Sequence, residues 1–296
     1  MSSIVQKLEK QGHFAPKHPF VTQTVYEVIM GSMAYGVSRN SSDMDVYAVC
    51  VPEKSMVFPH LTGYISGFGP TPELFEVQQK HHMQMNDKEY DVNVYGIVFY
   101  FNLCAENNPN MIDSLFVPDR CVLYKSDVGD HMRSYRRKFL SKRIFDKMRG
   151  YAFSEFKKLE KGYDPVKNAK RYETVQKYGY DVKSAYHVVR LMLEAEMVLN
   201  EGDLDLEFHR EQLKFVRDGG YTLAELGEWF HSKEIELTKL HTDSKLPLRA
   251  NFDELRVLLY ECLEMHFGTL EVAEEAGIRS AEALEKIARI VDTYRQ

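Results

Sequence analysis

The sequence has few cysteines and no long apolar run. Its four cysteines lie far apart in a chain of 296 residues and form no CxxC pair, which argues against a zinc ribbon and a disulfide framework. We expect reduced, mostly buried thiols, as is usual in the cytosol. The polar stretch 1–10 lacks the apolar region of a signal peptide, and no stretch approaches the roughly 18 uninterrupted apolar residues of a membrane span. These features predict a cytoplasmic protein without a membrane partner.

A large excess of positive charge is also missing. The net charge is -6, with 44% hydrophobic and 28% charged residues, a balance typical of a folded globular protein rather than a disordered one. Nucleic acid, if bound, must therefore contact a local basic patch. The length allows one large domain or two unequal ones, and the oligomeric state is left open.

Strand signals are confined to the first part of the chain, and helical periods dominate after about residue 130. This order predicts an α+β fold, with a mixed β-sheet and flanking helices in residues 1–140 and an all-helical domain in residues 141–296. The predicted strands are 21–30, 44–51 and 87–95. The predicted helices are 4–10, 99–107, 131–160, 181–200, 222–230, 252–267 and 280–294.

A Gly-Ser turn followed by two aspartates is the central motif. Gly31 and Ser32 end the first predicted strand, where a glycine lets the backbone approach a phosphate closely. Asp43 and Asp45 open the second strand. Residues two apart in a strand point to the same face, so both carboxylates converge. Paired carboxylates repel one another unless a cation lies between them, and Mg²⁺ prefers such oxygen ligands. The competing interpretation is an Asx-rich turn that caps a hairpin.

A third carboxylate in the next predicted strand completes this candidate site. Asp91 lies on the face opposite Val92 and Val94, and a charged residue within an apolar strand needs a partner or a metal. Glu89 shares its face and is the alternate ligand. The three aspartates predict metal-assisted nucleotidyl transfer, in which Asp91 aligns the acceptor hydroxyl or takes up its proton.

At these residues the sequence resembles the nucleotidyltransferase superfamily of the DNA polymerase beta type. Gly31-Ser32 and Asp43-Met44-Asp45 match its hG[GS] and Dh[DE]h motifs, although Ser42 stands where a hydrophobic residue is usual. The wider chain resembles the RNA-repair-pathway DNA polymerase beta family of bacteria and tailed phages. The resemblance implies Mg²⁺ (with Mn²⁺ as an alternative), a nucleoside triphosphate such as ATP, triphosphate binding by Gly31 and Ser32, and metal binding by Asp43, Asp45 and Asp91.

The predicted helix 181–200 carries a polar stripe formed by Lys183, His187, Arg190 and Glu194, spaced by four, three and four residues. Spacing alone leaves two interpretations equally open, a phosphate-binding stripe or a solvated face with an Arg190–Glu194 ion pair. The family resemblance of this stretch favours the first. Lys183 and Arg190 are then expected to contact phosphates, and His187 to bond a phosphate or orient a neighbour.

The basic segment, residues 131–149, interleaves eight Lys and Arg residues with Tyr135, Phe139 and Phe145. Such a pattern can hold a nucleic-acid backbone and stack bases, although a solvated helix face is the commoner reason for it. We expect RNA or tRNA, if it is the acceptor, to lie here. A stop of the helix 99–107 is predicted at Asn107–Asn110, with Asn110 or Asp113 as further cleft residues, and the pair His81-His82 is predicted to be loop.

The sequence therefore favours an enzyme that transfers a nucleoside monophosphate from a nucleoside triphosphate to an acceptor hydroxyl, with RNA or tRNA as the first candidate acceptor. Two alternatives stay open. One is the same transfer to a protein side chain or a small molecule. The other is a non-catalytic module that binds a nucleotide or RNA.

Overall fold

Five strands form one mixed sheet in this computed structural model, which describes residues 3–38, 43–161, 169–268 and 270. Within those residues the strand order is β3-β4-β2-β1-β5. The strands are β1 (Thr24–Ile29), β2 (Met44–Cys50), β3 (Val77–Met85), β4 (Lys88–Gly96) and β5 (Val122–Lys125). The three predicted strands correspond to β1, β2 and β4, and these occupy the middle of the sheet.

The central strands differ in the direction of their pairing. β1 pairs antiparallel with β2, and β2 pairs in parallel with β4. A parallel pair needs a long crossover connection, and here the chain returns through the short helix α2 (Lys54–Val57) and strand β3. This topology places the start of β2 beside the middle of β4.

The prediction that His81 and His82 lie in a loop is wrong, because both belong to the edge strand β3. Most side chains of β3 are exposed, so its sequence lacks the apolar alternation that indicates a strand. The strand has a bulge between Lys80 and Met83. It is joined to β4 by a tight turn at Asn86 and Asp87, both with positive φ, as a primed hairpin turn requires.

Short helices flank the sheet. Helix α1 (Ile4–Lys10) has the predicted bounds, and α3 (Ile97–Ala105) ends two residues earlier than predicted. The predicted stop is confirmed, because Asn107 adopts a φ of 53° and interrupts the helix. A new helix, α4 (Pro109–Phe116), starts at once, with the Asn108 side chain accepting the Met111 N–H. Helix α5 (Asp127–Ser134) follows β5.

The rest of the described chain is helical, as predicted. The predicted region 131–160 divides into the end of α5, a 3-10 turn at Arg136–Phe139 and α6, and 280–294 lies outside the described residues. The helices are α6 (Arg143–Lys161), α7 (Ala169–Tyr178), α8 (Val182–Glu201), α9 (Arg210–Arg217), α10 (Leu223–Asp243) and α11 (Phe252–Phe267). Helix α8 lies in the middle and packs against α6, α9 and α10.

One cluster of buried apolar side chains extends from Val5 to Leu263 and includes residues of both the sheet and the helices. The division into domains at residue 140 stays a prediction. All four cysteines are buried, which confirms the expected burial of the thiols. Among the described helices, we find none with the combination of length and apolar character that crossing a membrane requires.

Candidate active site

A cleft of about 750 Å³ lies between the strand ends and helix α8. Sites of roughly 300–1,000 Å³ are usual for small ligands and cofactors. The predicted site residues that line it are Gly31, Ser32, Asp43, Asp45, Lys183, His187 and Arg190. Asp91 lies beside Asp45, so the structure brings the predicted residues together at one place.

Gly31 and Asp45 touch at the start of the cleft. The backbone N–H of Met30 donates to the carbonyl oxygen of Asp45 at 2.7 Å, which holds the turn against the first residues of β2. Gly31 has a φ of +66°, and a Cβ added to it would overlap Oδ2 of Asp45. Only glycine tolerates both the backbone conformation and this approach. The Gly-Ser motif is therefore fixed by its contact with the second aspartate.

The carboxylates of Asp45 and Asp91 face each other across the parallel strands. The two residues are direct partners in the β2–β4 register, and Asp43 is exposed one residue before β2. Burial raises the pKa of Asp45, and the charges of Asp91 and Asp43 raise it further, while the nearby ammonium of Lys183 lowers it. The three predicted carboxylates and Lys183 are thus close enough to interact.

This donor set fits a divalent metal ion. Carboxylate oxygens are the ligands that Mg²⁺ and Mn²⁺ prefer. The mutual repulsion that raises the pKa of Asp45 is the effect that a bound cation would remove. Asp43, Asp45 and Asp91 are therefore suitable ligands in both chemistry and placement.

Strand β3 holds Asp91 from the other side. The backbone N–H of His82 donates to Oδ1 of Asp91 at 2.8 Å, and Nδ1 of His81 lies 3.5 Å from Oδ2. The imidazole of His82 contacts Oε1 of Glu89 at 2.5 Å, and ligand atoms of His82, Glu89 and Asp91 lie within 4.8 Å of one another. The sequence did not reveal these histidines, because only the hairpin and its bulge bring them to Asp91.

Lys183 lies at the N-terminus of α8. The side chain of Asp181 caps this helix by accepting the Lys183 N–H at 2.9 Å, and the ammonium is exposed at the cleft. The first turn of a helix of 20 residues adds a partial positive charge. This end of the cleft is therefore suited to an anionic group.

Arg190 is buried and only 3% exposed. Its Nη1 lies 2.6 Å from Oδ2 of Asp113 and 3.3 Å from Oε1 of Glu194. Its guanidinium lies over the ring of Tyr35, 4.5 Å from the centroid, and the Tyr35 hydroxyl donates to Asp113 at 2.6 Å. The Arg190–Glu194 pair thus exists, but within the core rather than on a solvated face. Asp113 belongs to this network, whereas Asn110 lines the cleft.

Aromatic residues that were not predicted form another part of the cleft wall. The rings of Tyr151 and His187 are nearly parallel, with centroids 6.2 Å apart. Tyr186 meets His187 edge-on at 5.3 Å, and the guanidinium of Arg217 lies 5.7 Å from the centre of the Tyr186 ring. Tyr186 could have been found from its place beside His187 on the helix, whereas Tyr151 and Arg217 come from other helices.

The basic segment is largely compensated by acidic partners. Arg137 pairs with Asp203, Arg143 with Glu106, and Arg133 with Asp119. Two of the aromatic residues predicted to stack bases, Phe139 and Phe145, are buried at 0% and 3% exposure, so they cannot meet a base. Tyr135 is 42% exposed. The mixture of charge and aromatics thus reflects a helix that packs on the core and pairs at the surface.

The fold and the carboxylate cluster define a protein of the nucleotidyltransferase type. The chain belongs to the RNA repair pathway DNA polymerase beta family, whose match covers residues 3–254. No curated protein matches the chain. Among solved structures it is similar to the nucleotidyltransferase-like protein from Exiguobacterium sibiricum 255-15, with 11% identity, a TM-score of 0.28, and coverage of 81% of this chain and 75% of that one. A structural similarity at that TM-score does not assign any property to this chain.

Proposed function

We propose that this protein transfers a nucleoside monophosphate from a nucleoside triphosphate to an acceptor hydroxyl, with Mg²⁺ as its cofactor and Mn²⁺ able to replace it. The observation that supports this most strongly is the direct pairing of Asp45 with Asp91 across parallel strands, with Gly31 against Asp45. A turn with a purely structural role would not require a partly buried carboxylate beside a second carboxylate. A site that binds a cation and a phosphate accounts for the paired carboxylates and for Gly31.

The triphosphate would lie between the Gly-Ser turn and the first turn of α8. Gly31 leaves room for a phosphate close to the backbone, Ser32 offers a hydroxyl, and Lys183 offers an ammonium that faces the cleft. Arg190 would act on the triphosphate site indirectly, because Asp113 and Glu194 already engage its guanidinium. Its contact with Tyr35 would hold the Gly-Ser turn in position.

Asp43, Asp45 and Asp91 would hold the metal ions. When bound, Mg²⁺ would activate the acceptor hydroxyl and stabilise the charge on the leaving pyrophosphate. Asp91 would take up the proton of the acceptor hydroxyl while that oxygen bonds to the α-phosphorus and the bond to pyrophosphate breaks. The His82 N–H, which donates to Oδ1 of Asp91, would hold this carboxylate in position for that step.

RNA, including tRNA, is the acceptor that we propose. The name of the family refers to RNA repair, and the basic segment offers exposed cations such as Arg137, whose side chain is 66% exposed. The pairing of these cations with acidic residues weakens their support for RNA but does not remove it, since exposed ion pairs contribute little and exchange readily.

The test is label transfer from each α-labelled nucleoside triphosphate to RNA in the presence of Mg²⁺. We expect labelled RNA from the wild type and at least a 1,000-fold lower rate from the Asp43→Asn/Asp45→Asn variant, because electrostatic stabilisation by the metals is worth several kcal/mol. Asp127→Asn, at an exposed aspartate in the first turn of α5 outside the cleft and the basic segment, is the matched control and should keep full activity.

The labelled product also separates the alternatives. Label in protein or in a small molecule, lost in the double variant, would retain the transfer but replace the acceptor. Triphosphate binding without transfer to any component of a cell lysate would contradict catalysis and leave a binding module.

A further inference from the structure

The aromatic wall, formed by Tyr151, Tyr186 and His187, is held rigidly. Tyr186 is 6% exposed and meets Tyr35 edge-on with ring centroids 6.2 Å apart. The guanidinium of Arg217 covers the Tyr186 ring, and its Nη1 donates to the carbonyl of Val37. Helix α6 supplies Tyr151 from the opposite side, nearly parallel to His187. Tyr151 and His187 therefore offer nearly parallel ring faces at the cleft, and the buried Tyr186 supports His187 edge-on.

The aromatic wall lies one helical turn from the end of the cleft that Lys183 and the N-terminus of α8 form. Lys183 lines the same cleft as Asp43 and Asp45, so its position on α8 gives a reference point for the carboxylates. Tyr186 and His187 follow it by three and four residues, which places all three on one face of α8. The rings thus lie about 6 Å further along the helix axis. A ribose linked to phosphate spans a gap of this order.

We propose that the aromatic wall is a nucleobase subsite and that it prefers a purine. This inference rests on the proposed function, because the triphosphate must lie at the Gly-Ser turn for its base to reach the rings. Any base can stack on an aromatic ring, but the two fused rings of a purine cover more of the Tyr151–His187 surface than a pyrimidine does. The base would thus be bound mainly by its face, with Asn110 as a neighbouring polar group in the cleft.

Calorimetric titration with non-hydrolysable analogues of ATP, GTP, CTP and UTP, in Mg²⁺ and without acceptor, tests the subsite. The wild type should bind the two purine analogues several-fold more tightly than the pyrimidines. Tyr151→Ala should weaken purine binding by roughly 5- to 100-fold, and Tyr151→Phe should restore it to within about twofold of the wild type.

Tyr260→Ala is the matched control. Its side chain is 46% exposed on α11 and lies outside the cleft, so all four affinities should stay unchanged. Thermal unfolding of each variant checks the fold, and Tyr151 is only partly buried.

The outcomes separate this inference from the proposed function. Unchanged purine affinity in Tyr151→Ala, or equal wild-type affinity for all four analogues, would overturn the purine subsite while leaving nucleotidyl transfer intact. Base-dependent binding without label transfer would contradict the transferase and retain the subsite. A wild type that binds none of the analogues would contradict both.

Discussion

Asp45 is the most constrained residue of the cleft. Gly31 touches one side of its carboxylate, Asp91 faces it from β4, and partial burial weakens its hydration. The charged form of Asp45 is therefore unfavourable in the folded protein until a cation approaches. A metal site of the kind that we propose would therefore lower the stability of the metal-free protein and increase the affinity for the ion.

Replacement of Asp45 by asparagine should therefore raise stability without metal. A carboxyl whose pKa is raised on folding destabilises the protein wherever it is ionised, so at neutral pH we expect Asp45→Asn to raise Tm by about 2–4 °C. Addition of Mg²⁺ or Mn²⁺ should raise the Tm of the wild type and leave that of the variant almost unchanged. Differential scanning calorimetry with and without EDTA measures both effects.

Asp127→Asn serves as the control here too, and its Tm should respond to metal as that of the wild type does. An equal metal-dependent rise in Asp45→Asn would mean that the ion binds elsewhere.

The predictable part of the site is the part that follows from local geometry. Asp43, Asp45 and Asp91 could be placed together because strand residues alternate between faces. His82 could not, since a bulge and a hairpin bring it to Asp91. The spacing along α8 predicted which residues share one face of the helix but not how deeply each is buried. Arg190 was therefore expected at a phosphate, although it lies in the core.

Helix α8 joins the two parts of the fold through a buried ion network. Arg190 and Glu194 come from this helix, Asp113 from α4, and Tyr35 from the turn that follows Gly31. One guanidinium faces two carboxyls. Burial raises the pKa of Glu194 well above its ordinary value and also raises that of Asp113, whereas the guanidinium of Arg190 acts to lower both.

Removal of Arg190 should destabilise the protein strongly. Arg190→Met leaves the buried carboxyls of Asp113 and Glu194 without their cationic partner, which typically costs about 3–5 kcal/mol, and urea unfolding at neutral pH measures the loss. The cost should shrink as the pH falls, because the pKa of Asp113 is raised by burial and a carboxyl of this kind destabilises only while it is ionised.

Arg190→Met/Asp113→Asn should recover much of the lost stability, since the unpaired charge is removed. Arg256→Met is the control, because the side chain of Arg256 is 58% exposed and pairs with the exposed Asp253 at 3.0 Å. A loss in Arg190→Met no larger than in Arg256→Met would show that the network contributes little to stability.

Elements with a strong local signal were predictable, and edge elements were not. The helices at 4–10 and 252–267 were predicted with the bounds that the structure has, because apolar spacing and flanking polar residues define them. Strands β3 and β5 were missed. Both lie at an edge of the sheet, where one side of the strand is unpaired. Most of their side chains are exposed or only partly buried, so their sequences show little apolar alternation.

The whole molecule carries a net negative charge, so the RNA that we propose as acceptor would have to contact a surface region that is locally positive. The net charge is -6, and the basic segment is interleaved with acidic partners from distant parts of the chain, such as Asp203 and Glu254. The phosphates of a bound RNA would have to displace these carboxylates from the Lys and Arg side chains. Binding should therefore be weak at physiological salt and strongly dependent on ionic strength.

Neutralisation of the basic segment tests whether RNA lies there. Arg137→Gln/Lys142→Gln/Lys147→Gln should weaken RNA binding and reduce the slope of log K against log salt by about 2, since each phosphate contact on single-stranded RNA contributes roughly 0.7. Fluorescence anisotropy at several salt concentrations measures the slope.

Lys7→Gln/Lys10→Gln/Lys17→Gln removes the same charge from an exposed region near α1 and should change neither the slope nor the affinity beyond the general effect of net charge. The same slope in the basic-segment variant and the wild type would place the RNA on another face.

The parallel pairing of β2 with β4 also determines when the site can exist during folding. Asp45 and Asp91 are partners in register, yet the crossover with α2 and the whole of β3 lies between them in the chain. Contacts between residues so far apart in sequence form slowly, because the intervening loop must close first. A nascent or partly folded chain would therefore lack the proposed metal site, and metal affinity should appear in refolding only once β2 has paired with β4.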